Sequence, residues 1–125
     1  MASTSLPRLL RVLRRIRVAQ VGLSEAQLHQ QIAQALLEAG IEHRREFPFA
    51  KGCRADFWVD PGWVIEVKKK RPVRALLENQ IARYARSGKV KGLVVLLERA
   101  ITLEPVCEGV PVHVVSMNAA WGVAI

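Results

Sequence analysis

Apolar residues recur at helical spacing near the start of the chain, as Leu6, Leu9, Leu10, Leu13 and Ile16, with Arg8, Arg11, Arg14, Arg15 and Arg17 between them. This pattern predicts an amphipathic helix with a leucine-rich stripe and an entirely basic opposite side. Ser24-Glu25-Ala26-Gln27 has the spacing of a capping box and opens a second helix, with Leu28, Ile32, Ala35, Leu36 and Ala39 as its stripe and Gly40 as its terminator. Shorter apolar runs then replace the helical period. Residues 43–49, 53–59 and 63–69 read as three strands, separated by Lys51-Gly52 and Asp60-Pro61-Gly62. Pro72 opens a third helix that runs to about Arg86 and carries Leu76, Leu77, Gln80, Ile81 and Tyr84 at helical spacing, with Gly88 closing it. Residues 92–97 and 111–115 read as two more strands, the first apolar throughout and so buried on both faces.

The predicted order is α-β-β-β-α-β-β, preceded by the extra basic helix. A strand meander followed by a helical crossover implies an α/β fold with a mixed central sheet flanked by helices. Residues 1–22 form the basic N-terminal segment and residues 23–125 the domain proper.

Two of the strands contain charge where burial is expected. Asp56 interrupts the second, and Glu66 and Lys68 interrupt the third. An ionised group inside a sheet is unfavourable unless it is paired or binds a cation. Glu66 and Lys68 are two apart and leave one face of their strand, while Ile65 and Val67 leave the other. Whether Asp56 joins them depends on the turn. A two-residue turn at Pro61-Gly62 sets Asp56 against Val67, on the wrong face, whereas a three-residue loop from Asp60 to Gly62 sets it opposite Glu66. A shared site requires the second register. Facing carboxylates repel, and a divalent cation reverses that. Oxygen donors without thiolate select Mg²⁺ or Mn²⁺. Lys68 would then steady an attacking water or the charge that develops on a phosphoryl group, or simply neutralise Glu66.

Composition narrows the partners. The chain has 125 residues, half of them hydrophobic, which suits one packed domain and argues against general disorder. Its formal net charge of +8 makes a polyanion the first candidate partner. No apolar run approaches the ~20 residues needed to span a bilayer, so no membrane partner is expected. Cys53 and Cys107 form no paired-cysteine motif, and with three histidines they do not suggest structural zinc. Reduced thiols point to an intracellular protein, cytoplasmic or nucleoid-associated. The arginine-rich first segment stays open between a nucleic-acid arm, a helix packed on the domain or on a second subunit, a mitochondrial-type presequence and a membrane-surface helix.

Asp56 followed by Glu66-Val67-Lys68 resembles the signature of the PD-(D/E)XK nuclease superfamily, which includes restriction endonucleases, RecB-like nucleases and archaeal Holliday-junction resolvases. The likeness covers residues 24–97, and Ala55 stands where the family name has proline. Gln80 and Tyr84 look like the QxxxY element of RecB-like members. The resemblance implies a restriction-endonuclease-like core and Mg²⁺ or Mn²⁺ held by Asp56, Glu66 and the Val67 carbonyl. It further implies Lys68 as a catalytic lysine, Gln80 and Tyr84 as orienting groups, and Glu25 as a further metal ligand, with His29 as another candidate. DNA, as duplex, junction or single strand, is the implied substrate, cut without strong sequence specificity, and a homodimer suits cleavage of two strands. Lys69, Lys70, Arg71, Arg74 and Arg83 follow the signature as phosphate contacts, joined by Arg8, Arg11 and Arg15 if the first helix is an arm. Two other readings stand beside the Mg²⁺-dependent deoxyribonuclease. One is a non-catalytic nucleic-acid-binding module of the same fold. The other is an assembly subunit whose basic helix docks on a partner.

Overall fold

The computed structural model describes residues 3–16, 23–69, 71–99 and 101–117. Among these, three helices and six strands follow in the order α1 (Leu6–Arg14), α2 (Glu25–Glu38), β1 (Arg44–Ala50), β2 (Cys53–Val59), β3 (Trp63–Lys68), α3 (Arg74–Arg86), β4 (Gly92–Leu97), β5 (Val106–Cys107) and β6 (Val110–Ser116). The strands form one open sheet in the order β1-β2-β3-β4-β6-β5. Hairpins make β1, β2 and β3 antiparallel, while β3, β4 and β6 run parallel and β5 returns antiparallel to β6. The fold is therefore α/β with a mixed sheet.

Helices cover both faces. Ile65 and Val67 of β3 and Val94 and Leu96 of β4 pack with Leu9, Leu13, Leu28, Ile32 and Leu36 in the layer of α1 and α2. Val64, Leu93, Val95 and Leu97 pack with Leu77, Ile81 and Tyr84 of α3 in the other layer. β4 is buried at every residue, as its unbroken apolar run requires for a parallel strand between two neighbours.

Local sequence sets the helix limits. Ser5 caps α1 by accepting from Arg8 N–H at 3.3 Å. Ser24 and Gln27 make the reciprocal capping box of α2, at 2.8 and 3.1 Å. At its other end Ile41 N–H reaches Leu36 O (2.9 Å) and Gly40 N–H reaches Leu37 O (3.0 Å), with Gly40 at φ 71°. This is a Schellman ending, which glycine permits without strain. α3 begins at Arg74, two residues later than the proline suggests, with Val73 at the cap position and no side-chain cap.

α1 is a packing helix, with Leu9, Leu10 and Leu13 buried in the α2 layer. Arg8 donates to the Ala39 carbonyl at 2.6 Å, closing the end of α2 rather than facing solvent. Thr4 N–H bonds to Asp60 O (3.2 Å) and its carbonyl accepts from the Trp63 indole, fixing the start of α1 to the beginning of β3. The helix ends at Arg14, and Arg17 lies outside the described residues, as do Lys70 and Trp121.

Strand β5 is not evident in the sequence. It is two residues long and joins β6 through Glu108-Gly109, both at positive φ (47° and 82°), a two-residue turn of the kind that matches strand twist. Both cysteines are free thiols, Cys53 buried and Cys107 half-buried. Trp58 packs against Phe47 and Phe49 beside the β1–β2 hairpin.

Gly62 holds the β2–β3 loop against the loop before β4. A Cβ there would sit 2.8 Å from the Lys89 carbonyl, at φ 156°. Gly52, at φ 71°, has open space around it. Gly62→Ala is therefore expected to lose ~2–3 kcal/mol in urea unfolding, against ~1 kcal/mol for Gly52→Ala, which meets only the backbone preference.

Candidate functional site

The β2–β3 connection decides the site. Val59 pairs with Trp63 across a three-residue loop, followed by Trp58 with Val64 and Phe57 with Ile65. The next pair in this register is Asp56 with Glu66, the arrangement that brings both carboxylates to one face.

The backbone ladder stops at Phe57–Ile65, and side chains continue it. Asp56 N–H donates to Glu66 Oε1 at 3.3 Å, and Val67 N–H donates to Asp56 Oδ2 at 2.8 Å. Each acid thus occupies a place where the opposite strand's carbonyl would otherwise sit. Glu66 is only 3% exposed and Asp56 is half-buried.

Helix α3 lies over this pair. Gln80 and Tyr84 are one turn apart, and both reach Glu66: Gln80 Nε2 approaches Oε2 at 3.5 Å, and the Tyr84 hydroxyl lies 3.1 Å from Oε1. Gln80 also donates to the Tyr84 oxygen at 3.1 Å. The hydroxyl meets the Arg54 carbonyl of β2 at 2.5 Å. It has one proton for two acceptors, so ionised Glu66 and the Arg54 carbonyl compete for it. Tyr84 is 2% exposed, so its contact is with the carboxylate and the strand, not with anything in solvent.

Lys68 Nζ stands 3.9 Å from Glu66 Oε2 and is partly exposed. One partly exposed ammonium does not offset the burial of Glu66 beside a second acid. Burial, then the charge of Asp56, push the Glu66 carboxyl up to about 8, and Lys68 only moderates this. Burial and the same carboxylate raise the Tyr84 phenol as well.

The two α2 candidates differ in their surroundings. Glu25 is exposed and pairs with His29 at 3.8 Å. His29 is buried against Phe57, with no hydrogen-bond partner at Nε2, in the α1–α2 layer across the sheet from Glu66. Glu25 lines a shallow hollow with Val67, Lys68, Lys69 and Arg71 but bonds to neither Asp56 nor Glu66. Among the described residues, no group of three or more His, Cys, Asp or Glu side chains gathers as a metal cage.

A hydrated Mg²⁺ does not need such a cage. It keeps most of its waters and binds through one or two carboxylates. Two acids brought together across the hairpin meet the carboxylate count of that demand. Asp56, Glu66 and the Val67 carbonyl are the groups that would hold the ion.

Cations continue from the end of β3. Lys68, Lys69, Arg71 and Arg74 line a cleft of about 730 Å³, closed on its other side by Arg99, Ile101 and Thr102 after β4. Arg99 was not singled out by sequence reasoning. Its nearness to Lys68 follows from the parallel pairing of Lys68 with Leu97, which no local pattern reveals. Arg83 lies over the Tyr84 ring at 5.7 Å. Arg11 and Arg15 are exposed on or just beyond α1, in the opposite layer.

Comparison of the chain with family models, curated proteins and solved structures gives no match.

The raised pKa of Glu66 sets a pH dependence for the metal-free chain. Folded Glu66 keeps its proton up to about pH 8, while the unfolded residue releases it near 4.5. Its contribution is complete below the unfolded value and is lost as pH rises between the two. Thermal or urea unfolding in chelator should therefore show stability falling from pH 5 to 8, by up to ~1.4 kcal/mol per pH unit. Glu66→Gln should flatten that slope and unfold later than the wild type at pH 8. A Glu66→Gln slope equal to that of the wild type would assign the dependence to other groups.

Proposed function

We propose that the chain is a divalent-metal-dependent nuclease of the PD-(D/E)XK type, with a restriction-endonuclease-like core, that hydrolyses phosphodiester bonds in DNA. One observation carries the reading: Asp56 faces Glu66 across the β2–β3 hairpin, with the Lys68 ammonium 3.9 Å from Glu66. The mixed sheet between helices and the net charge of +8 support it.

When bound, a divalent ion would supply positive charge to the phosphoryl oxygens and acidify an attacking water. The chain's own residues do the rest. Asp56 is held by the Val67 N–H, so its Oδ1 stays available. Lys68 presents a partly exposed ammonium next to Glu66, close enough to steady a water or the charge growing on the phosphate. Tyr84 and Gln80 act as positioning residues. They fix the Glu66 carboxylate through its two oxygens and tie α3 to β2 through the Arg54 carbonyl. Glu25 is outside this set and is not assigned a role in it.

A second reading is a nucleic-acid-binding module that hydrolyses nothing. It is favoured by backbone N–H groups already bound to both acids.

Cleavage of labelled DNA with Mg²⁺ or Mn²⁺ separates the two. Asp56→Asn, Glu66→Gln and Lys68→Ala should each lower the rate by at least ~10²-fold, with DNA binding in chelator changed less than ~3-fold for the two acid variants. Tyr84→Phe should act more mildly, lowering kcat by ~10-fold and stability by ~1–2 kcal/mol while leaving KM unchanged. Full cleavage by purified Glu66→Gln would end the nuclease reading, and no cleavage by the wild type on single-stranded, duplex, flap and four-way substrates would favour the binding module.

A further inference from the structure

The basic cleft has its own logic. β3 and β4 are adjacent parallel strands, and their C-terminal ends, Lys68 and Leu97, lie side by side. The chain leaves β3 toward α3, and the segment that leaves β4 packs through Ile101 and Leu103 in the same layer as α3. The residues that follow the two strand ends line a crevice beyond them. Here the crevice is about 730 Å³. That is within the ~300–1,000 Å³ range of sites that enclose a small molecule or one stretch of a chain.

Its walls are strongly one-signed. Lys68, Lys69, Arg71 and Arg74 stand on the β3 side and Arg99 on the β4 side, with Glu98 the one acid among the described lining residues. The first turn of α3 carries no acidic residue and Val73 provides no side-chain cap, so its free N–H groups add to the positive field. Lys68 belongs both to this cleft and to the carboxylate pair. An anionic chain lying in the cleft therefore reaches the site with one phosphate already beside Lys68.

We propose that this cleft binds one unpaired strand of nucleic acid by its phosphates, with Arg71 and Arg99 gripping it from opposite walls. This rests on the nuclease reading for its relevance to cleavage, but not for the binding itself. The concave form argues for a single strand. The cations line a hollow of about 730 Å³, a volume that encloses a short stretch of one strand. No aromatic side chain is among the described lining residues, so a base-stacking platform is missing and recognition is of backbone rather than sequence.

Fluorescence anisotropy in chelator, where no hydrolysis occurs, tests the assignment. The probes are a labelled oligothymidylate of about 12 nucleotides and a blunt duplex of the same length. Wild type should bind the single strand at least ~5-fold more tightly than the duplex. Arg71→Ala with Arg99→Ala should weaken single-strand binding ~10-fold or more and reduce the salt slope by about 1.4, ~0.7 for each lost phosphate contact. Arg11→Ala with Arg15→Ala, in the opposite layer, should change it less than ~2-fold. All four side chains are exposed, and circular dichroism melts check that both variants fold. Equal or tighter duplex binding, unchanged binding by the cleft variant, or a loss carried by the α1-side variant would each overturn the proposal. Failure of Glu66→Gln to abolish cleavage would sink the nuclease reading and leave this binding result standing.

Discussion

The buried carboxylate of Glu66 is the constraint around which the rest of this structure is arranged. A group so enclosed must find donors, shed its charge or gain a cation. The chain provides three donors from two elements: the Asp56 N–H from β2, and Gln80 and Tyr84 from α3. It provides a partial counter-charge through Lys68. It also places a second acid opposite, which works against ionisation of the first. A purely structural role would be better served by an apolar residue at position 66, since replacing buried ionic groups by packed hydrophobic ones is often neutral or stabilising. Both acids do accept backbone N–H groups of the opposite strand. Under the proposed function a divalent cation would supply the positive charge that the pair lacks.

Most of the architecture follows from local patterns. The capping box at Ser24, the glycine at position 40 and the unbroken apolar run of β4 each mark a boundary or an environment through short-range chemistry. The β2–β3 register was a choice between two loop lengths in the sequence, and the face-to-face acids required one of them. The structure adopts it, with Asp60, Pro61 and Gly62 as the loop. Side-chain alternation does the rest, since Ile65 and Val67 enter one core while Val64 enters the other.

What the sequence concealed depends on distant contacts. Arg8 looks like one of a series of equivalent basic residues, yet it closes the end of α2 while Arg11 is exposed. Arg99 reaches the cleft only because β4 lies parallel to β3. Glu25 shares the helix face of His29 as the spacing implies. That helix, however, covers the α1–α2 face of the sheet, while Glu66 bonds to α3 on the other. Helical periodicity fixes which residues share a side and says nothing about which side of the sheet that helix will take. The short β5 escaped because two residues carry no period, and Glu108-Gly109 is a weaker turn signal than asparagine or aspartate before glycine.

Lys68 joins the two halves of the molecule's chemistry. On one side it faces a buried acid in a poorly screened environment. On the other it lines a solvent-filled cleft, where salt weakens every interaction with the surrounding arginines. Its ammonium answers to whichever negative charge is stronger. A negative charge on Glu66 and an anion beside Lys68 would repel each other, and Lys68 alone does not offset the burial of Glu66. Under the proposed function that repulsion requires a second cation at the acids. That requirement links positive charge at the acids to anion binding at the arginines, and it arises because the E-x-K strand ends where the cleft begins.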